Sequence, residues 1–433
     1  MEKSRKELNK IKKNNAKMYP MYKMLSWDLL FFYSVEFLIY TITKKVTPSD
    51  ILLINAFYLL FRTLMQIPAV MITDFLGKKK SIVLGNICWM FFVIVLMTLP
   101  GVVSIIIANM LLALGKNIKI IAEPNLLYDS VATKGGEGLY SKIEAKGGSW
   151  YYILDGVASL VAGYLFVINQ YIPLFICLGF ILISTAISFK FKDVYEVHEK
   201  KNESTVSKTL HLYMSDLKQS FKFIIKSRRM KAFILFQILF YGLIKITLTY
   251  SSDLLIQIGI PEQQYSMIIA IFTLVSGLAL SLKEPMEKVF RNRTLTFIAV
   301  LYVSGYLVIG GAARVLDNAT IIPIALIMLA IQNICAAIWY ILEMKYLKNF
   351  TTEEMRNKIT FTYEFIGAIA ASIISILSGL LLKVVDIKTA FLIVGIVSFI
   401  CMIIVLRYMK TRFGLKPEEY RKEDIEFETA IKS

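Results

Sequence analysis

Apolar residues along this chain fall in blocks of about twenty, parted by short polar gaps, and a block of that length as a helix crosses a hydrocarbon layer of roughly 30 Å. The blocks lie near residues 24–43, 50–72, 81–99, 102–122, 149–168 and 172–190, then 232–252, 262–282, 294–312, 320–342, 361–382 and 389–407. In lipid every backbone polar group has to be satisfied within the protein, so blocks this uniformly apolar read as helices rather than strands. The pattern predicts an all-α membrane protein with twelve transmembrane helices. Prolines support the boundaries: Pro20, Pro48, Pro100, Pro173 and Pro261 stand at block ends, whereas Pro68 lies inside the second block and predicts a kink there.

A long hydrophilic stretch divides the blocks six and six. This gives an N-terminal bundle over 1–190 with a polar arm before it, a linker over 191–231, a C-terminal bundle over 232–408 and a tail over 409–433. In the linker, Leu210, Met214, Leu217, Phe221 and Ile224 recur at helical spacing. That fits a helix lying on the membrane surface, and equally a solvated tether with a helix packed under the bundle. The halves echo each other. Asp74 precedes Lys78 by four residues as Glu287 precedes Arg291, an offset of 213, and Glu123 with Asp129 is matched by Glu343 with Asn349, an offset of 220. Internal repeats of this kind mark transporter folds.

Composition agrees: 56% of residues are hydrophobic and the mean hydropathy is +0.61, well above soluble domains. A net charge of +17 would suggest nucleic acid in a soluble protein, but position gives it another meaning. With the N-terminus in the cytoplasm, the cytoplasmic segments hold 40 Lys and Arg and the opposite segments 5. The positive-inside rule then places both termini in the cytoplasm of a multi-pass cell-membrane protein. The charge needs no nucleic acid. Cys88, Cys177, Cys335 and Cys401 sit singly inside apolar blocks, and both histidines, His198 and His211, lie in the linker. Neither a disulfide framework nor a metal set nor a His-based triad is expected. No cofactor is expected, and no Gly-x-x-x-x-Gly-Lys-Ser/Thr loop for ATP occurs. The chain reads as a non-enzyme. The basic N-terminal arm is followed by a block without a small-residue cleavage site, which reads as a retained helix rather than a signal peptide.

The stretch Pro68–Lys80, PAVMITDFLGKKK, resembles the loop between spans two and three of the major facilitator superfamily, Gly-x-x-x-Asp-x-x-Gly-Arg/Lys-Arg/Lys. Asp74, Gly77, Lys78 and Lys79 match, and Val70 stands where the leading Gly would be. A tight turn needs Gly77, and a carboxylate at a helix end docks on a helix N-terminus or a basic partner. The resemblance implies a conformational latch and a fold of two six-helix bundles. After span four, IAEPNLLYDSVATKGGEGLYSK is similar to twelve-span facilitator members of Gram-positive bacteria, with Glu123, Tyr128, Asp129 and Ser130 carrying the match. Drug:proton antiporters of this superfamily hold an Arg in span four, where this chain has Asn109 or Leu111. They also carry Gly-Pro-x-x-Gly-Gly in span five, of which only Gly163 remains. Gln66-x-Pro68 followed by Asp74 is similar to a variant loop of some tetracycline exporters. The export signature is therefore incomplete.

An ionisable side chain inside the hydrocarbon costs at least about 2.5–3.5 kcal/mol, so each needs a partner, water or a function. Near mid-depth stand Glu36, Arg62 and Lys245, with Lys116 and Lys119 toward the cytoplasmic end of span four. The resemblance implies that spans one, four, seven and ten line a central cavity, which makes Glu36, Lys116, Lys119, Lys245, Gln332 and Asn333 its lining candidates. Tyr33 and Tyr241, with Trp339 and Tyr340, are the aromatics that could stack on a ligand. Glu36 is read either as a proton carrier or as half of a structural pair with Arg62 or Lys245. Lys119 with Glu123 is an i, i+4 pair, suited to local neutralisation or to a ligand. Lys245 has no acid near its depth on its own span and is expected to meet a polar or anionic substrate group. Arg62 is a structural ion-pair candidate. Asp28, Asp253, Asp155 and Glu364 are first read as interfacial or interhelical groups. The function implied is secondary transport of a small organic solute by rocking of two halves, with proton-coupled drug or metabolite efflux as the lead. Uptake by symport and a transporter-like sensor or scaffold are the alternatives.

Overall fold

A computed structural model of the chain describes residues 5–131, 136–194, 203–279, 293–351 and 353–410, with 286 and 289 besides. Among these the regular structure is helical throughout. The helices are α1 (Arg5–Ser26), α2 (Glu36–Leu38), which runs on as a π turn over Ile39–Thr43, α3 (Pro48–Leu64), α4 (Gln66–Leu76), α5 (Lys78–Thr98), α6 (Gly101–Val131), α7 (Gly136–Ile168) and α8 (Ile172–Phe189). They continue with α9 (Glu203–Lys226), α10 (Arg228–Gln257), α11 (Glu262–Ala279), α12 (Thr294–Val315), α13 (Asn318–Phe350), α14 (Glu353–Leu382) and α15 (Ile387–Lys410). Nine of these are long and apolar enough to cross a membrane by themselves, and the bent pair α3 with α4 makes ten among the described residues. The first predicted span is broken, and the eighth is described only as far as Ala279. The linker periodicity resolves as α9.

Two spans depart from straight helices, for different reasons. The kink expected from Pro68 is present as a 45° bend between α3 and α4, centred on Met65 rather than on the proline. A proline ring clashes with the carbonyl one turn earlier, here that of Leu64, so the helix parts at Leu64 and restarts at Gln66 with Pro68 in its first turn. The first span, expected as one helix over 24–43, is a correction. Helix α1 starts far back in the basic arm and stops at Ser26, and residues 27–35 are not helical. Trp, Asp, Phe, Tyr, Ser and Val, all modest helix formers, supply most of that stretch. Phe31 adopts φ +65°, a left-handed conformation that costs a non-glycine residue about 1–2 kcal/mol. Its ring lies 6.0 Å from that of Phe180 at an interplanar angle of 13°.

The helices form two compact units. One comprises Met1–Thr47, Leu60–Lys208 and Glu262–Ala270. Tyr19, Tyr22, Ile82, Ala122, Leu126 and Phe191 build a core within it, and α7 meets the start of α11 where the Gly163 N–H donates to Ser266 Oγ at 2.8 Å. A Cβ at Gly163 would stand 2.6 Å from that oxygen, which explains the one glycine retained from the span-five pattern.

The other unit comprises Pro48–Leu59, Thr209–Pro261 and Ile271–Ser433. Its α10, α13 and α14 pack around Phe233, Phe236, Phe240, Trp339 and Tyr363, whose rings touch at centroid distances of 5.1–5.7 Å. The first turns of α3 dock on α14 within this unit: Ser49 Oγ donates to the Gly379 carbonyl at 2.6 Å and Ser372 Oγ to the Ala56 carbonyl at 3.0 Å.

Candidate functional site

The break in the first span gathers most of the predicted charges of its unit. Asp28 accepts the Leu29 N–H at 3.1 Å, which caps the chain as it leaves the helix. Its other oxygen pairs with Lys116 Nζ of α6 at 2.8 Å, both side chains being about a fifth exposed, at 23% and 22%. Lys116 also lies 5.8 Å from the centre of the Tyr33 ring. Glu36 opens α2 just past the break, and the polar groups around it are the Tyr40 hydroxyl, Asp28 and Lys116. The cation of the site is therefore Lys116, and among the described residues of this unit Arg62 does not lie within ion-pairing distance of Glu36. Asp155 of α7 stands beside the Tyr151 hydroxyl and Asp28. Trp27 faces Tyr151 and Tyr152 at centroid distances of 6.3 and 6.1 Å. Asp28 and Asp155 were given only bland roles by sequence, and the available signal was WYYILD, which sets Tyr151 and Asp155 one turn apart.

One turn further along α6 the charges are buried. Glu123 is 2% exposed and meets Lys23 Nζ of α1 at 2.5 Å and Lys119 Nζ at 3.7 Å. Tyr22 and Ser26 donate their hydroxyls to it at 2.7 and 3.2 Å. Lys119, 3% exposed, donates to the Ser26 carbonyl at 3.0 Å and sits 3.3 Å above the Trp89 ring. The expected i, i+4 pair is present as one part of this larger cluster. Asn117, on the same helix, donates to the Arg62 carbonyl at 2.6 Å.

The loop between α4 and α5 turns on Gly77, at φ +81°. Lys78 pairs with Asp129, and the Lys79 N–H donates to Asp193 at 2.9 Å. Asp74 is exposed on the last turn of α4. The latch candidates after spans two and four thus meet as Lys78 and Asp129. Their counterparts Glu287 and Arg291 lie outside the described residues.

In the other unit, Lys245 Nζ rests 4.8 Å from the centre of the Tyr241 ring, with Tyr340 nearby. An acid absent from its own span reaches it from α13: Glu343 interacts with Lys245, with the Tyr363 hydroxyl and with Glu364. Gln332 is fully buried and donates to the Tyr302 carbonyl of α12 at 2.9 Å. Asn333 donates back to Leu329 of its own helix at 2.8 Å.

Residues 233–431 match the family model of the Major Facilitator Superfamily. Among solved structures, the nucleoside transporter NupG superposes with a TM-score of 0.69 at 12% identity, covering 92% of this chain and 99% of that one. The fold is that of facilitator-type transporters. A peptide transporter POT in complex with sulfate aligns over 94% of this chain and 95% of its own at 11% identity, with a TM-score of 0.64. A POT family transporter in complex with 5-aminolevulinic acid gives 0.60 at 13% identity, covering 93% and 95%. At such identities the likeness carries the facilitator fold alone. Among curated proteins none matches this sequence.

Proposed function

We propose that this chain is a facilitator-family secondary transporter, a twelve-span member of the kind found in Gram-positive bacteria, with both termini in the cytoplasm. It moves a small organic solute by alternating access and exchanges it for protons in the direction of export, with Glu36 as the proton carrier. The observation that carries this reading is the break at residues 27–35. Discontinuous spans are where transporters of several folds build their sites, because unwound backbone is tolerated at depth only where protein or a cavity takes up its polar groups. Here the break holds three carboxylates, Asp28, Glu36 and Asp155, against one ammonium, Lys116. A partly accessible charged group at such a place serves ligand or ion exchange better than it serves stability. Lys116 keeps Asp28 occupied, which leaves Glu36 as the acid of the first span itself whose charge changes with the cycle.

Inverted membrane vesicles loaded with acid and a quenched acridine dye test the reading. Solutes that are exchanged for protons dequench the dye as they enter. With Glu36→Gln, which keeps shape and removes the titrating group, dequenching is expected to vanish while the protein still inserts. Dequenching that is equal in Glu36→Gln would refute the assignment of the carrier. Proton movement into the vesicle together with the solute would turn the reading from export to symport.

A further inference from the structure

Glu123 and Glu343 occupy matching positions in the two halves of the sequence, 220 residues apart, and their surroundings differ in one respect that matters for a buried acid. Glu123 has two ammonium groups within 3.7 Å. Glu343 is also buried, though less so, at 9% exposed against 1% for Glu123, and among the described residues no cation lies within ion-pairing distance of it. The position corresponding to Lys119 is Trp339, one turn before Glu343 on α13. What faces Glu343 is Lys245 and, beside it, Tyr241 from α10, Tyr363 and Glu364 from α14, and Tyr340 from its own helix. Lys245 lies against the Tyr241 ring, 4.8 Å from its centre. The Tyr363 hydroxyl, 1% exposed, has no partner at hydrogen-bond distance and is directed at the Glu343 carboxyl. A second acid, Glu364, adds repulsion.

A lone buried carboxylate with a like charge beside it is unstable unless it binds a cation. The smallest is the proton. We propose that Glu343 is a second proton-binding group of the transport cycle, stored as the neutral acid beside Tyr363 and, on losing its proton, paired with Lys245. The step balances without a co-reactant: the O–H bond of the acid breaks, the proton goes to water on the accessible side, and Lys245 keeps its three hydrogens while its ammonium turns from the Tyr241 ring to the carboxylate. Protonation is thereby tied to a side-chain movement between α10 and α13. The inference rests on the proton-coupled reading above.

Dicyclohexylcarbodiimide tests it without any flux. This apolar reagent adds to a protonated carboxyl to give an N-acylurea containing every atom of both, which peptide mass spectrometry locates. The full chain in proteoliposomes is expected to carry the adduct on Glu343 at about pH 6 and to lose about tenfold of it by about pH 9, with Glu123 unlabelled at both. Lys245→Met, which removes the cation that receives the charge, is expected to restore Glu343 labelling at about pH 9 by a similar factor, and Lys245→Arg to leave it as in the parent. Glu343 labelled no more than Glu123, or labelled equally at both pH values, overturns the proposal. Because the unmodified protein gives the first readout, a variant that misfolds does not decide the result. Absent labelling with intact dye dequenching removes Glu343 alone, whereas pH-dependent labelling without any proton-linked flux sustains the proton site and removes the transport reading.

Discussion

Replacing Glu123 by glutamine perturbs the most enclosed charge among the described residues. Glutamine keeps the volume and can still accept from Tyr22 and Ser26, but its amide would confront the Lys23 ammonium, donor against donor. At an effective dielectric of about 20, the separations of 2.5 and 3.7 Å correspond to gross attractions of about 6.6 and 4.5 kcal/mol. Most of that offsets the cost of bringing three charges out of water. The measurable loss is the penalty for leaving buried cations uncompensated, about 3–5 kcal/mol when one partner of such a set is removed. The cluster goes from a formal charge of +1 to +2. Lys23→Met takes it the other way, to a neutral Lys119–Glu123 pair, and is expected to be milder by at least about 2 kcal/mol. Thermal unfolding of the purified proteins in detergent, followed by intrinsic fluorescence, reads the difference. Glu123→Gln is expected to lower the apparent Tm by roughly 5–15 °C. If it melts within about 1 °C of the parent, or if Lys23→Met is the more damaging, the carboxylate is not the element that compensates the two lysines and the reasoning fails.

Two further outcomes follow from the turns. Gly77→Ala places a Cβ on a residue at φ +81° and is expected to cost about 1–2 kcal/mol, with Gly77→Asn milder, seen as ordered losses of apparent Tm. Asp386 lies just before α15 and caps it, accepting from the Thr389 hydroxyl at 2.6 Å and from the backbone of Lys388 and Thr389 at 3.2 and 3.3 Å. These bonds, that of the Thr389 side chain first, hold its carboxyl below the ordinary carboxylate range. A depressed acid contributes stability that is present above its unfolded pKa of about 3.9 and lost as pH falls through the folded value. Asp386→Ala is therefore expected to lower stability by about 1 kcal/mol near neutral pH. The gap should close in melts recorded well below about pH 3.9, and one that persists there contradicts the cap.

The spans were legible because lipid leaves the backbone no alternative to helix, so length and apolarity suffice. Pro68 was legible because its ring acts on a carbonyl at a fixed offset, and Lys119 with Glu123 because helical spacing alone sets them side by side. The break after Ser26 was not, since no Gly or Pro marks it and its sequence is as apolar as a helix. What holds it open comes from α6, some 88 to 93 residues away. For the same reason Lys245 looked isolated: Glu343, the acid that interacts with it beyond ion-pairing distance, lies on α13 and comes near only once α10 and α13 have packed. Gln332 was placed on the lining side of its span by analogy, and tertiary structure turned it toward α12, where Gly305 leaves room for its amide.

The break is stable without a helix-breaking residue because it is matched to α6 in antiparallel order. Lys23, Ser26 and Asp28 run forward along the first segment while Glu123, Lys119 and Lys116 run backward along α6. Each rung joins unlike partners: ammonium to carboxylate, carbonyl to ammonium, carboxylate to ammonium. The rungs are unequal. Glu123 and Lys119 are 2% and 3% exposed, whereas Asp28 and Lys116 are 23% and 22% exposed. Separating charges costs least where water can replace the lost partner. Any movement of the broken segment then costs least at Asp28 and Lys116 and most at Glu123, which leaves the lower part of α1 fixed to α6.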